Sequence, residues 1–258
     1  MVAKFFRRII RFWKVVWLFI VSSVRVRRDQ MGRTGWYVVA CSSRHARDWA
    51  RGSAKIFNFE IRVHGDPGAF PGGLLVSNHQ GYLDVLTHAA IFPIRFAPKS
   101  DMHKWPLLGP FVAQSHPIWI DRDSRQKSKE AADEMIETLR HKINLLVYPE
   151  GTSTDGEHGI LPFKSTPFEA AVDAGCHIQP LLTFFSCEDP AGYPLAWFGK
   201  ASLLPHIWKI LGLRQTKADV YILPVVDPVA GESRKELAAR VYELMSAEYK
   251  RIREHDES

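Results

Sequence analysis

The chain has 258 residues, 46% of them hydrophobic and 24% charged, a balance that excludes a disordered or collagen-like protein and allows one large domain or two small ones. Its three cysteines, Cys41, Cys176 and Cys187, are odd in number and widely spaced, which excludes a disulfide framework or a Cys-x-x-Cys zinc site and fits a reducing compartment. Of the 34 Lys and Arg residues, thirteen fall within the first 55 positions, against only two of the 28 acids, so the formal charge of +6 belongs to an N-terminal arm while the body is mildly acidic, a distribution that argues against nucleic acid as a partner.

Within that arm, Lys4, Arg7, Arg8, Arg11 and Lys14 recur at three- and four-residue spacing, with Phe5, Phe6, Ile9, Ile10, Phe12 and Trp13 around the rest of the turn. This pattern predicts an amphipathic helix. The apolar stretch that follows, Val15 to Val24, covers only about 15 Å of a hydrocarbon core of about 30 Å, so a membrane span is not expected. Arg25, Arg27 and Arg28 then follow with no small-residue cleavage site, against a secretory signal peptide. An in-plane membrane anchor is the expectation, with aromatic rings in the interface and cations on anionic headgroups; a basic helix docked on its own domain, or an RNA-binding arm, is the competing reading.

A second helix is predicted over about 38–56, then an alternating strand at 59–63 and a turn at 64–68. Short apolar runs at 74–77, 94–97, 118–120, 143–148, 178–184 and 220–226 read as buried strands. Between them lie helices at about 82–91, 125–141, 166–174 and 234–254. Thr166 is the expected N-cap of the third of these, with Pro167 at its first position, and Ser233 with Glu236 forms a capping box for the last. Alternating strands and helices imply one α/β domain after the arm, with the arm at 1–54 and the domain at 55–258.

Three segments concentrate reactive side chains at strand ends. Asn78-His79-Gln80-Gly81-Tyr82-Leu83-Asp84 separates His79 from Asp84 by five residues, which places His79 in the turn before a helix and lets Asp84 reach back from its first turns. A carboxylate there accepts a hydrogen bond from the imidazole and supports it as a general base; from spacing alone, a structural histidine fits as well. Tyr148-Pro149-Glu150-Gly151-Thr152 runs from a strand into a turn, at the edge where open α/β sheets place ligands. Ile120-Asp121-Arg122 ends another strand with a charged pair.

In order and spacing these three segments resemble the glycerolipid acyltransferases typified by 1-acylglycerol-3-phosphate acyltransferase. Asn78-His79-(x4)-Asp84, Ile120-Asp121-Arg122 and Tyr148-Pro149-Glu150-Gly151-Thr152 are similar to that family's Asn-His-x4-Asp, Ile/Val-Asp-Arg and Phe-Pro-Glu-Gly-Thr blocks, and the likeness covers about residues 55–230. The resemblance implies an α/β fold with a mixed, largely parallel central sheet flanked by helices, carrying the membrane-associating arm. It implies transfer of a fatty acyl group from acyl-CoA or acyl-carrier protein to the hydroxyl of lysophosphatidate, with no cofactor and no metal. His79 would be the general base and Asp84 its orienting partner. Asn78, Lys99, Arg122, Glu150, Gly151 and Thr152 would bind substrate, Lys99 and Arg122 at the phosphate. Membrane lipids are the implied partners, and the cytoplasmic face of the cell membrane the implied location.

One departure bears on the acceptor. Ser153 stands where many relatives carry an arginine that would clamp a phosphate. This variant, followed by Leu161-Pro162-Phe163-Lys164-Ser165, looks like a subgroup that includes lyso-ornithine lipid acyltransferases. Lys164 is the candidate replacement cation, set against a plain surface lysine. A non-catalytic lipid-binding protein of the same fold is the alternative from another class.

Overall fold

The computed structural model describes residues 2–70, 72–106, 108–121, 123–187 and 195–256. Two helices, α1 (Val2–Gln30) and α2 (Trp36–Phe57), lead into β1 (Phe59–His64), β2 (Gly73–Ser77), α3 (Tyr82–Ile91), β3 (Ile94–Phe96) and α4 (Leu108–Ala113). The chain continues through α5 (Arg125–Arg140), β4 (Asn144–Val147), α6 (Thr166–Ala174), β5 (His177–Cys187), α7 (Leu203–Ile210), β6 (Thr216–Ile222) and α8 (Arg234–Asp256). The strands form one sheet in the order β1-β6-β5-β2-β4-β3, parallel at every pairing but β5–β6.

Because successive strand residues point to opposite faces, the continuous apolar runs of the central strands feed two cores at once. Leu74, Val76, Leu145, Val147, Ile178 and Leu182 pack with Met135 and Leu139 of α5, Phe168 of α6, and Leu237, Val241 and Met245 of α8. On the other face, Leu75, Leu146 and Leu181 pack with Leu86 and Ala89 of α3 and with Ala50 and Ala54 of α2. The chain leaves β2 through α3 on one face and leaves neighbouring β4 through α6 on the other. The C-terminal ends of these two strands therefore form the topological switch point, the position where such sheets take their ligands.

Several elements differ from the expectations. Residues 118–120 add no strand to the sheet: Ile118 and Ile120 donate to the carbonyls of Phe96 and Pro98, and Pro98 has no N–H to extend the ladder. The last strand lies earlier than expected, at Thr216–Ile222, since Pro224 interrupts the run and leaves Val226 only a bridge to Ile178. Ser165, not Thr166, occupies the N-cap of α6, which moves Pro167 one position into the first turn, where its missing N–H still costs nothing. In α8 the reciprocal cap forms as expected: Ser233 N donates to Glu236 at 2.8 Å and Glu236 N to Ser233 Oγ at 3.3 Å. The division drawn at residue 54 falls inside α2, whose Ala50 and Ala54 belong to the core of the body.

Helix α1 is amphipathic, and in its N-terminal half the basic residues Arg7 and Arg11 meet the body. Arg11 is buried and donates to Leu211 O at 3.1 Å, Leu213 O at 2.6 Å and Arg214 O at 3.3 Å, while Arg7 donates to Gly212 O at 2.9 Å. These carbonyls follow the last turn of α7, where a helix leaves acceptors without intrahelical donors, and the guanidinium fork supplies several at once. Gly212 permits the approach, since a β-carbon there would stand 2.7 Å from Arg8 Nε. The expectation that this stripe faces lipid headgroups is corrected for Arg7 and Arg11. Among the described residues, no helix is long and apolar enough to cross a membrane.

Candidate functional site

His79 lies in the turn between β2 and α3 and is held on every side. Its N–H donates to Glu150 Oε1 at 2.8 Å, and its carbonyl accepts from Thr154 N at 2.9 Å. Nδ1 meets Asp84 Oδ2 at 2.7 Å, and the ring stacks on Tyr148 with centroids 4.0 Å apart and planes 15° apart. Nε2 is thereby the nitrogen left to face outward, from a side chain that keeps 22% of its surface exposed.

Asp84 owes its position to the start of α3. It is the third residue of that helix after Gly81, and its Oδ2 also accepts from Gln80 N at 2.5 Å and Gly81 N at 2.9 Å. A carboxylate reaching back across a helix N-terminus is the acidic half of a capping box and is favoured by the helix dipole. One oxygen thus closes the helix and fixes the imidazole tautomer, in a side chain with no solvent exposure. Gly81 carries φ +138, and a β-carbon there would stand 3.0 Å from the Trp197 backbone, whose N–H donates to Gln80 O at 2.7 Å.

Glu150 is buried and turned inward. Burial raises its pKa, opposed by the N–H donors of Leu161 and His79; Oε2 accepts from Leu161 N at 2.9 Å. Both carboxylate oxygens therefore fasten backbone, one of them the backbone of His79. Asn78 is buried as well, its amide paired with Thr183 of β5: Nδ2 donates to Thr183 O at 3.0 Å and Oδ1 accepts from Thr183 N at 2.8 Å. Gly151 and the exposed Thr152 form the outer rim of the turn. Lys99 follows β3, pairs with Asp101, and lies two strands across the sheet from His79, roughly 10 Å at the usual strand spacing. Arg122 lies outside the described residues. Its neighbour Asp121 binds Lys127 Nζ at 3.2 Å, and that bond, with the Asp123 N–H, lowers its pKa.

Sequence reasoning missed Tyr148, Gln80, Thr154 and His88. Among the described residues, only Asp155, Glu157 and His158 group as possible metal ligands, in a largely exposed loop. The signal for Tyr148 was an aromatic directly before the Pro-Glu-Gly turn. Behind it, His88 of α3 is fully buried, with Nδ1 3.0 Å from the Tyr148 hydroxyl and Nε2 2.9 Å from Thr183 Oγ1. Burial pushes the Tyr148 phenol well up and lowers His88 to about 4; Asp84 works against the second shift and His79 with it. A neutral His88 accepts a hydrogen bond from the Tyr148 hydroxyl at Nδ1 and donates one from Nε2 to Thr183 Oγ1.

The unfolded chain protonates a histidine near pH 6.5, whereas folded His88 resists protonation down to about 4. Between these values the unfolded state binds the extra proton, so the His88 contribution to stability is complete above about pH 6.5 and is lost as pH falls toward 4. Denaturant titrations across this range are expected to show a loss of about 3 kcal/mol from this residue, and His88→Gln should flatten that part of the slope. Equal slopes in the two proteins would remove His88 as its source.

The acyltransferase family pattern matches residues 60–183. The chain is 26% identical over 250 residues to the 1-acyl-sn-glycerol-3-phosphate acyltransferase of Neisseria meningitidis, covering 95% of this chain and 94% of that protein. It is 36% identical over 176 residues to the lyso-ornithine lipid O-acyltransferase of Rhodobacter capsulatus, covering 65% of this chain and 62% of that one. Its fold is shared with the crystal structure of a 1-acyl-sn-glycerophosphate acyltransferase from Thermotoga maritima, with a TM-score of 0.65 at 18% identity over 96% of this chain and 98% of the other.

Proposed function

This chain belongs to the lysophosphatidate acyltransferase family of glycerolipid acyltransferases, and from that premise we propose that it moves a fatty acyl group from acyl-CoA or acyl-carrier protein to the hydroxyl of lysophosphatidate, giving phosphatidate, at the cytoplasmic face of a membrane. The observation that carries the reading is the His79 imidazole, tied to Asp84 at 2.7 Å through Nδ1 and stacked on Tyr148, with Nε2 facing outward. Nε2 takes the proton of the acceptor hydroxyl as its oxygen attacks the thioester carbon. The carbon–sulfur bond then breaks, and the imidazolium returns the proton to the departing thiolate, so no acyl-enzyme forms. The buried Asp84 carboxylate stabilises the imidazolium that exists between these steps.

A second acceptor, a lyso-ornithine lipid, is favoured by Ser153 in place of an arginine and by the higher identity to the lyso-ornithine relative. The deciding experiment incubates detergent-solubilised protein with long-chain acyl-CoA, or with acyl-carrier protein in parallel, and separate lysolipids, and follows release of free thiol. Thiol release that depends on lysophosphatidate is expected. Release only with lyso-ornithine lipid would transfer the reading to that acceptor, and release with neither would favour a lipid-binding protein.

A further inference from the structure

The geometry points to Lys164 as the cation that receives the anionic headgroup of the acceptor, a phosphate monoester or a carboxylate. This rests on the acyl-transfer reading and names the specificity contact within that same site. The segment carrying Lys164 is fastened to the Pro-Glu-Gly turn at two places: Lys164 N donates to Pro149 O at 2.9 Å, and Leu161 N to Glu150 Oε2 at 2.9 Å. The side chain then folds back over Gly151. A β-carbon at Gly151 would stand 2.8 Å from Lys164 Cε and 3.0 Å from Cδ, with Nζ closer still, and the φ of +73 at this position independently favours glycine. Any other residue at 151 would displace the ammonium from the turn.

That turn is joined directly to the general base. Glu150 on one side of Gly151 holds the His79 N–H, and Thr154 on the other donates to the His79 carbonyl. The acids nearby are engaged elsewhere: Asp84 with His79 and two backbone N–H groups, Glu150 with two backbone N–H groups, and Asp155 with the Glu157 N–H at 3.0 Å. Among the described residues, none forms an ion pair with Lys164, which is exposed. A flexible ammonium is a point-charge partner for phosphate or carboxylate alike, without the bidentate fork that an arginine offers to either. This suits a site where serine replaces arginine after Pro-Glu-Gly-Thr.

The test measures binding and turnover separately. In neutral detergent micelles, Kd is measured for lysophosphatidate, lyso-ornithine lipid and uncharged monoacylglycerol with the wild-type chain, Lys164→Ala and Lys164→Arg; KM and kcat follow with a fixed acyl-CoA concentration. Lys164→Ala is expected to weaken whichever of lysophosphatidate and lyso-ornithine lipid the wild type binds by about tenfold more than it weakens monoacylglycerol, with the change in KM rather than kcat, and Lys164→Arg to restore most of it. The lysolipid that shows the loss, through its phosphate or its carboxylate, identifies the headgroup. An equal loss on charged and uncharged acceptors, or none, overturns the assignment. If wild-type protein binds lysophosphatidate through Lys164 but releases no thiol, the acyl-transfer reading fails while the headgroup contact stands.

Discussion

Replacing His79 with alanine is expected to lower acyl transfer by about 10²–10⁴-fold, the usual worth of a positioned general base. The fold should survive, because the bonds that hold the His79 turn, to Glu150 and Thr154, run through its backbone and are kept by alanine. Asp84→Asn should cost a similar factor for a different reason. An amide presented to Nδ1 through its NH2 group needs the other tautomer, which would put the proton on the nitrogen meant to receive one. This variant should also unfold more readily, by about 1 kcal/mol or more, since Asp84 Oδ2 caps α3 through the N–H groups of Gln80 and Gly81. Measured together, kcat and the urea midpoint separate the two: His79→Ala moves the first alone and Asp84→Asn moves both. Retention of more than about a tenth of the turnover by His79→Ala would remove the imidazole from the reaction.

The sheet and the contact between His79 and Asp84 were legible in the sequence for local reasons. Leu74–Ser77 and Leu145–Val147 are short apolar runs ending in polar turns, and a strand buried on both faces has no other signature. The pairing of His79 with Asp84 followed from the helix start alone, because a residue three places past an N-cap is within reach of the turn before it. What escaped depends on contacts between distant segments. Asn78 and Glu150 sit within conspicuous motifs, yet their side chains bind the backbone of residues 183, 79 and 161, none of which is marked by spacing. Helical periodicity divides α1 into two faces and cannot say which one meets the body. That was decided about 200 residues downstream, by the carbonyls that end α7.

With Arg7 and Arg11 turned inward, α1 presents an apolar side to solvent: Phe6, Trp13, Trp17 and Val24 all fall on one helical face and are more than half exposed. A monomeric protein rarely leaves a contiguous apolar strip of this kind uncovered. The same helix is pinned by Phe19 against Trp49 and Phe111, by Leu18 against Gly52 and by Arg11 against α7, so it offers this face while lying along the body. We propose that the strip enters the lipid interface, with exposed Lys14, Arg25, Arg27 and Arg28 beside the headgroups. The double variant Trp13→Glu, Trp17→Glu should then lose about 10²-fold or more in partition to anionic liposomes, taking about 1.5 kcal/mol for each indole withdrawn from the interface. Its urea midpoint should stay put, because neither ring is packed in the core. Salt should weaken binding less than the thirteen basic residues of the first 55 suggest, since Arg7 and Arg11 are held by carbonyls and are not available to lipid phosphate. Flotation of the variant at the wild-type level would show that this face meets something other than a bilayer.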